Sequence, residues 1–217
     1  MTTPRKPSGF HLYGISWAGS VIAEYLFEWA GVEYTISFPD QAERDTPAYR
    51  AISPKGQIPV LVDEHGQGFS ESLAITIYLL DRFPETGLIA PPGEMARGKC
   101  LQWLAYLATI LYNANQRIYQ SYSFSAPEDA LIKSGIADRM ICYDEIDAAL
   151  ASQPFLCGSR LTAADLYLHM LLNWDRRIDH QLSTRPRLKA LFDHVSALPQ
   201  VRAVQARQPK RSPLPVY

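Results

Sequence analysis

Two short stretches of the chain carry residue types whose spacing could do chemistry. The first is Gln57-Ile-Pro-Val-Leu-Val-Asp63, a good strand pattern interrupted by Pro59, which has no N–H to give to a sheet. A proline in that position marks a sheet edge, a strand start or a cis bond. A cis bond after Ile58 would turn the Ile58 N–H and C=O outward, where an extended peptide could pair with them as an added strand. The second stretch is Ser70-Glu-Ser72, at the start of an apolar-periodic helix. Hydroxyl and carboxylate residues there serve as caps that satisfy the first N–H groups. Alternatively, the helix end with the Ser72 hydroxyl and amide holds a ligand carboxylate while Glu71 pairs with a neighbouring ammonium. One amino-acid backbone carries both of those groups.

The elements that must position these residues follow from periodicity. Phe10-His-Leu-Tyr-Gly14 alternates as a strand, and Val21, Ile22, Tyr25, Leu26, Trp29 and Ala30 recur at helical spacing up to a stop at Gly31. Val32 to Phe38 returns to strand, which completes one βαβ unit. Residues 57–63, a turn at Glu64-His-Gly-Gln67, the pair Gly68-Phe69 and a helix from about Ser72 to Phe83 make a ββα unit. Beyond the proline- and glycine-rich run from Pro84 to Gly93 every periodic segment is helical: Met95–Tyr122, Pro127–Ala151, Ala163–Trp174, Arg187–Ala197 and Gln200–Gln208. The expected organisation is an α/β domain over 9–84, a linker over 85–93, an all-α domain over 94–208 and a loose tail over 209–217.

Composition narrows the function. Hydrophobic residues make up 47% of the 217 and charged residues 20%, enough apolar content for a packed core. The net charge of -1 argues against nucleic acid and anionic membranes, which call for a basic excess. No apolar run reaches the ~18 residues of a membrane span and the start lacks a signal-peptide core, so the expectation is a soluble, cytoplasmic protein. Cys100, Cys142 and Cys157 have no metal or redox-motif spacing, and His11, His65, His169, His180 and His194 have none either. No metal site is expected, and the thiols read as buried and reduced.

Ile52-Ser-Pro-Lys-Gly-Gln-Ile-Pro-Val-Leu61 and Ser70-Glu-Ser-Leu-Ala-Ile-Thr-Ile-Tyr-Leu79 together resemble the glutathione-binding signatures of the cytosolic glutathione S-transferase family. Phe155-Leu-Cys-Gly-Ser-Arg-Leu-Thr-Ala-Ala-Asp-Leu166 is similar to the capping segment of that family's helical domain. The resemblance implies a thioredoxin-like domain followed by an all-helical one, with glutathione as co-substrate. Carried over, it implies that Ile58, beside a cis Pro59, pairs with the cysteinyl unit of glutathione. Glu71 and Ser72 would hold its γ-glutamyl end, and Gln57 would reach toward the glycine carboxylate. Thr162 and Asp165 form a Ser/Thr-x-x-Asp capping box with a structural role.

The task that goes with this resemblance is to make a thiol attack an electrophile near neutral pH. A thiol of pKa about 8.5 is only ~3% ionised at pH 7. Lowering that pKa by about two units takes ~2.7 kcal/mol of differential stabilisation, within the range of a hydroxyl donor beside a helix N-terminus. The donor belongs in Gly14-Ile-Ser-Trp-Ala-Gly-Ser-Val21. Counted from Gly31, the family's serine position falls on Trp17 and the bacterial cysteine position on Gly19, so neither residue type is matched. Ser16 is the leading candidate, with Ser20 and Tyr13 as alternatives, which makes the site serine-type rather than the cysteine-type of other bacterial members. Trp17, Tyr106, Tyr112 and Asn113 are the candidates for a co-substrate pocket.

The expected function is therefore activation of glutathione for attack on a small hydrophobic electrophile, by a homodimer. Two other functions compete with it. One is a ligand-binding or assembly module of the same fold without turnover, suggested by the mismatches at Trp17 and Gly19. The other is glutathione-dependent disulfide reduction, in which glutathione supplies both thiols.

Overall fold

A computed structural model of the chain describes residues 6–209, with side chains from Gly9 onward; the expected tail beyond Pro209 lies outside the described residues. Two compact units emerge. One runs to Gly87 and resumes at Pro199; the other spans Leu88–Leu198.

The first unit contains a four-stranded sheet in the order β2-β1-β3-β4, built from β1 (Lys6–Tyr13), β2 (Val32–Ser37), β3 (Val60–Val62) and β4 (Gly68–Phe69). β1 pairs parallel to β2 and antiparallel to β3, and β3 is antiparallel to β4. The alternation in β1 sends Phe10 and Leu12 into the core, where the Phe10 ring lies 5.5 Å from Phe27 and 6.2 Å from Phe83. The helices α1 (Val21–Ala30) and α4 (Ser72–Arg82) supply the rest of that core through Ile22, Leu26, Ile75 and Leu79. β3 begins one residue after Pro59, so the proline occupies a place where the ladder asks for no N–H.

Two short helices that periodicity could not show, α2 (Gln41–Arg44) and α3 (Pro47–Ile52), lie between β2 and β3. Local chemistry makes them: Asp40 accepts from the Glu43 N–H at 2.9 Å and Thr46 accepts from the Tyr49 N–H at 3.3 Å, each acting as an N-cap, and Pro47 follows at the first helical position. α3 sets the Tyr49 ring edge-on to Tyr13, 5.2 Å away.

In the second unit, α5 (Met95–Tyr106), a five-residue π turn over Leu107–Leu111 and α6 (Tyr112–Tyr119) run on without a break in the region read as one helix. Then come α7 (Glu128–Ala149), α8 (Ala163–Leu172), α9 (Ile178–Ser183) and α10 (Pro186–Ala197). α8 is buried along its whole length, as its nearly unbroken apolar sequence requires. Its start is held by the Thr162–Asp165 capping box, in which the buried Asp165 carboxylate accepts from the Thr162 N–H and the Leu156 N–H, both at 2.8 Å. Burial raises the Asp165 pKa, while those amide donors act against the rise.

The last helix, α11 (Pro199–Arg207), belongs to the first unit, although it follows the helical segments in sequence. It packs on α1 with Val201 and Val204 buried.

Candidate functional site

The ladder registers gather the singled-out residues at one end of the sheet. β1 and β3 pair Tyr13 with Val60 antiparallel, so Gly14 and Ile15 leave β1 at the end where Ile58 and Pro59 lead into β3. β3 and β4 pair Leu61 with Phe69 antiparallel, so Ser70 and Glu71 leave β4 at the end where Pro59 leads into β3. The loop from Gly14 to Ser20, the Ile58-Pro59 step and the start of α4 thus converge on one place. α1 also begins there, so two helix N-termini add positive potential.

The Ile58-Pro59 bond is cis, and so is Ser70-Glu71. Ile58 lies outside the paired segment of β3, so its backbone groups are not part of the sheet ladder. The preceding residue is fixed in place. The Gln57 N–H donates to Ser53 Oγ at 2.9 Å, while the Gln57 C=O accepts from Ser53 Oγ and from the Tyr49 hydroxyl, both at 3.0 Å. Burial pushes the Tyr49 phenol up to about 12, so it stays a donor across the physiological range. The Gln57 side chain is exposed.

At the start of α4, Glu71 occupies the N-cap position with an exposed side chain that makes no capping hydrogen bond. Ser72 is buried, and its C=O accepts from the Thr76 hydroxyl at 2.7 Å. The simple capping account of Ser70-Glu71-Ser72 therefore does not describe Glu71, whose carboxylate is presented to solvent at the positive end of an eleven-residue helix.

The three candidate hydroxyls of the first strand and loop stand in different surroundings. Ser20 is fully buried and its hydroxyl donates to the Ile15 C=O at 3.0 Å, a bond that closes the loop on itself. Tyr13 is half-buried, with its ring edge-on to Tyr49 and to His11, the latter at 4.5 Å. Ser16 Oγ is enclosed and meets no hydrogen-bond partner among the described residues. An enclosed hydroxyl without a partner costs stability, so it is the loop group with the most to gain from a ligand acceptor.

Trp17 has a left-handed backbone, with φ of 59°, a conformation that costs a non-glycine residue ~1 kcal/mol or more. The segment that follows α11 offsets that cost. The Trp17 N–H donates to Gln208 Oε1 at 3.0 Å, and its indole N–H donates to the Pro209 C=O at 2.8 Å. Gln208 Nε2 in turn donates to Glu24 Oε1 at 2.9 Å, and the Tyr34 hydroxyl donates to Glu24 Oε2 at 3.2 Å. Burial raises the Glu24 pKa, while the Gln208 and Tyr34 donors act to lower it. Gln208 and Glu24 carried no signal in the sequence, because an interaction across 191 positions follows no local period.

The remaining candidates lie in the second unit, around the π turn. Tyr106 ends α5 and its hydroxyl donates to the Glu145 carboxylate; burial first, and then its hydrogen-bond partners, raise its pKa. Tyr112 opens α6 edge-on to Trp174 with ring centres 4.8 Å apart, and Asn113 beside it is exposed. Among the described residues, no group of three or more His, Cys, Asp or Glu side chains could hold a metal ion, and no helix is long and apolar enough to cross a membrane.

Comparison with known proteins finds matches to both parts of the chain. The glutathione S-transferase N-terminal domain matches residues 20–82, and the glutathione S-transferase C-terminal domain matches residues 123–199. A glutathione S-transferase of Escherichia coli O157:H7 is 30% identical over 155 residues, covering 70% of this chain and 74% of its own length. One from Xanthomonas campestris pv. campestris is 28% identical over 196 residues, covering 88% and 95%. The crystal structure of a glutathione transferase from Methylococcus capsulatus superposes with a TM-score of 0.80 at 27% identity, over 91% of this chain and 97% of that one.

Proposed function

The chain belongs to the glutathione S-transferase family, and on that premise we propose that it binds glutathione at the sheet end described above and activates its thiol for attack on a small hydrophobic electrophile. The observation that carries the reading is the convergence of Ile58-Pro59, the uncapped start of α4 and the unpartnered Ser16 hydroxyl at one end of the sheet.

In this reading the tripeptide lies as an added strand against Ile58, whose backbone N–H and C=O pair with the cysteinyl unit. The first turn of α4 and the Ser72 hydroxyl receive the γ-glutamyl carboxylate, and the exposed Glu71 carboxylate pairs with the ammonium. Gln57 turns its amide to the glycine carboxylate. The cysteinyl sulfur then falls near the Gly14–Ser20 loop, where Ser16 donates to it. A hydrogen bond to a charged acceptor contributes ~1.5–3 kcal/mol, and a helix N-terminus adds ~0.3–1 kcal/mol. Together they cover the ~2.7 kcal/mol that a two-unit fall in the thiol pKa requires. Ser20 is committed to the Ile15 carbonyl and serves the loop's shape; Tyr13 serves the packing with Tyr49. On the Gly14–Ser20 loop, the Trp17 ring is the side chain that meets the electrophile. The working unit is a cytoplasmic homodimer.

The test is the pH dependence of turnover with glutathione across several electrophile classes. Ser16→Ala should raise the apparent pKa of the bound thiol by about one to two units, the equivalent of one lost charged hydrogen bond. An unchanged profile would remove Ser16 from this role. Glutathione binding without turnover on any electrophile would instead favour a binding module, and turnover confined to small disulfides would favour disulfide reduction.

A further inference from the structure

The loop that carries Ser16 is braced from outside itself. The Ala18 N–H donates to the Ile15 C=O at 3.1 Å, so Ile15 to Ala18 form a turn with Ser16 and Trp17 at its centre. A second turn follows at once, in which the Val21 N–H donates to the Ala18 C=O at 3.1 Å. The positive φ of Trp17 falls at the third position of the first turn, the type II arrangement that glycine ordinarily fills. A residue with a Cβ there favours type I instead, reached by flipping the Ser16–Trp17 peptide so that the Trp17 N–H points to the opposite side.

Two acceptors beyond α11 hold that peptide in the type II form. Gln208 Oε1 takes the Trp17 N–H at 3.0 Å, and the Pro209 C=O takes the indole N–H at 2.8 Å. Gln208 is itself fixed, because its Nε2 donates to the buried Glu24 carboxylate of α1 at 2.9 Å. Glu24 also accepts from the Tyr34 hydroxyl at 3.2 Å, and Arg207 Nη2 donates to that hydroxyl at 3.3 Å. Arg207 pairs in turn with Glu28, one turn further along α1. Together with the buried Val201 and Val204, these bonds seat α11 and the two residues after it on α1. All of these groups belong to the first unit.

We propose that Gln208 and the Pro209 carbonyl are positioning groups for the activation of glutathione: they hold the Ile15–Ala18 turn in its left-handed form and so fix Ser16 where its hydroxyl reaches the thiol. The assignment rests on the reading of the site given above, in which neither group touches glutathione. Gln208 acts through the Trp17 N–H. Ser16 supplies the C=O of the same peptide, so a flip rotates the Ser16 ψ by roughly 150° and changes the surroundings of its enclosed Oγ. Ile58 and the start of α4 take no part in such a flip. Binding of the tripeptide and ionisation of its thiol should therefore separate in a variant that loses the brace.

The experiment titrates the ultraviolet absorbance of the thiolate of glutathione bound to the full chain, beside calorimetry of its dissociation constant. Gln208→Ala should raise the apparent pKa of the bound thiol by about one unit. With a wild-type value about two units below 8.5, that is a roughly threefold loss of thiolate at pH 7. At about pH 5.5, where the thiol is protonated in both proteins, the dissociation constant should change less than about twofold. Gln208→Asn, whose amide falls one methylene short of both partners, should shift the thiol in the same direction and decides the question if the alanine variant does not fold. In Trp17→Gly the positive φ carries no penalty, so adding Gln208→Ala there should move the thiol by less than about 0.3 unit. A wild-type bound thiol at its solution value would refute the reading of the site and this assignment together. A lowered wild-type value that neither Gln208 variant moves, or a full one-unit shift in the Trp17→Gly background, would overturn this assignment alone.

Discussion

Gln208→Ala tests how far the first loop depends on the last helix. The wild-type side chain makes two hydrogen bonds, from the Trp17 N–H at 3.0 Å and to Glu24 Oε1 at 2.9 Å. Removing the first leaves a part-buried backbone N–H without its acceptor, a loss of about 1–3 kcal/mol. Losing the second withdraws a donor from a buried carboxylate, which costs a further ~1.5–3 kcal/mol when Glu24 is charged and less when it is protonated. With partial relaxation toward solvent the variant should be destabilised by about 2–4 kcal/mol at pH 8.

The sign of the pH dependence follows from Glu24. Its folded pKa is raised, chiefly by burial, so the stability tied to its protonated form is complete at low pH and is lost as pH rises through that raised value. Gln208 moderates the loss by supporting the charged form. The deficit of Gln208→Ala should therefore be larger at pH 8 than at pH 5. Urea unfolding followed by tryptophan fluorescence at both pH values measures it. A deficit below about 0.5 kcal/mol at both, or one that grows toward acid, would refute the assignment of Gln208 as the anchor of the Trp17 loop.

Asp165→Ala removes a fully buried carboxylate that serves two amides and the Thr162 hydroxyl; equilibrium unfolding should show a loss of about 3–5 kcal/mol. Gly135→Ala would set a Cβ 2.7 Å from the Ala114 carbonyl oxygen and 2.8 Å from Ile118 Cγ1, where α7 crosses α6. Forcing the two helices apart should cost about 1–3 kcal/mol by the same measurement, with glutathione affinity retained.

Periodicity revealed most of the fold because the core-facing residues are local in sequence. The pattern of α1 and the Gly31 stop led to a helix that ends where expected, and the strand signals around Pro59 and Phe69 fell on β3 and β4. α2 and α3 were not legible, since four and six residues are too few for a helical period and their caps are the only trace they leave. The π turn was equally silent: one extra residue in a helix leaves apolar positions on nearly the same face. α11 has its buried stripe in Val201 and Val204, yet a stripe names no partner: the sequence places this helix in the all-α domain over 94–208, whereas in the structure it belongs to the first unit and packs on α1. At the site, the types of Pro59, Glu71 and Ser72 told their own story. The difference between Ser16 and Ser20 did not, because it depends on one hydrogen bond to the Ile15 carbonyl that composition cannot report.

Calorimetric titration of glutathione into the purified chain, wild type beside Glu71→Gln, tests the central claim most directly. Glu71 is exposed and caps nothing, so the variant should keep its stability while losing the partner of the γ-glutamyl ammonium. The account predicts saturable binding with a dissociation constant below the millimolar range, weakened about tenfold in the variant, the equivalent of ~1.4 kcal/mol. A folded wild-type protein that releases no binding heat at millimolar glutathione, or a variant that binds as tightly as the wild type, would contradict it.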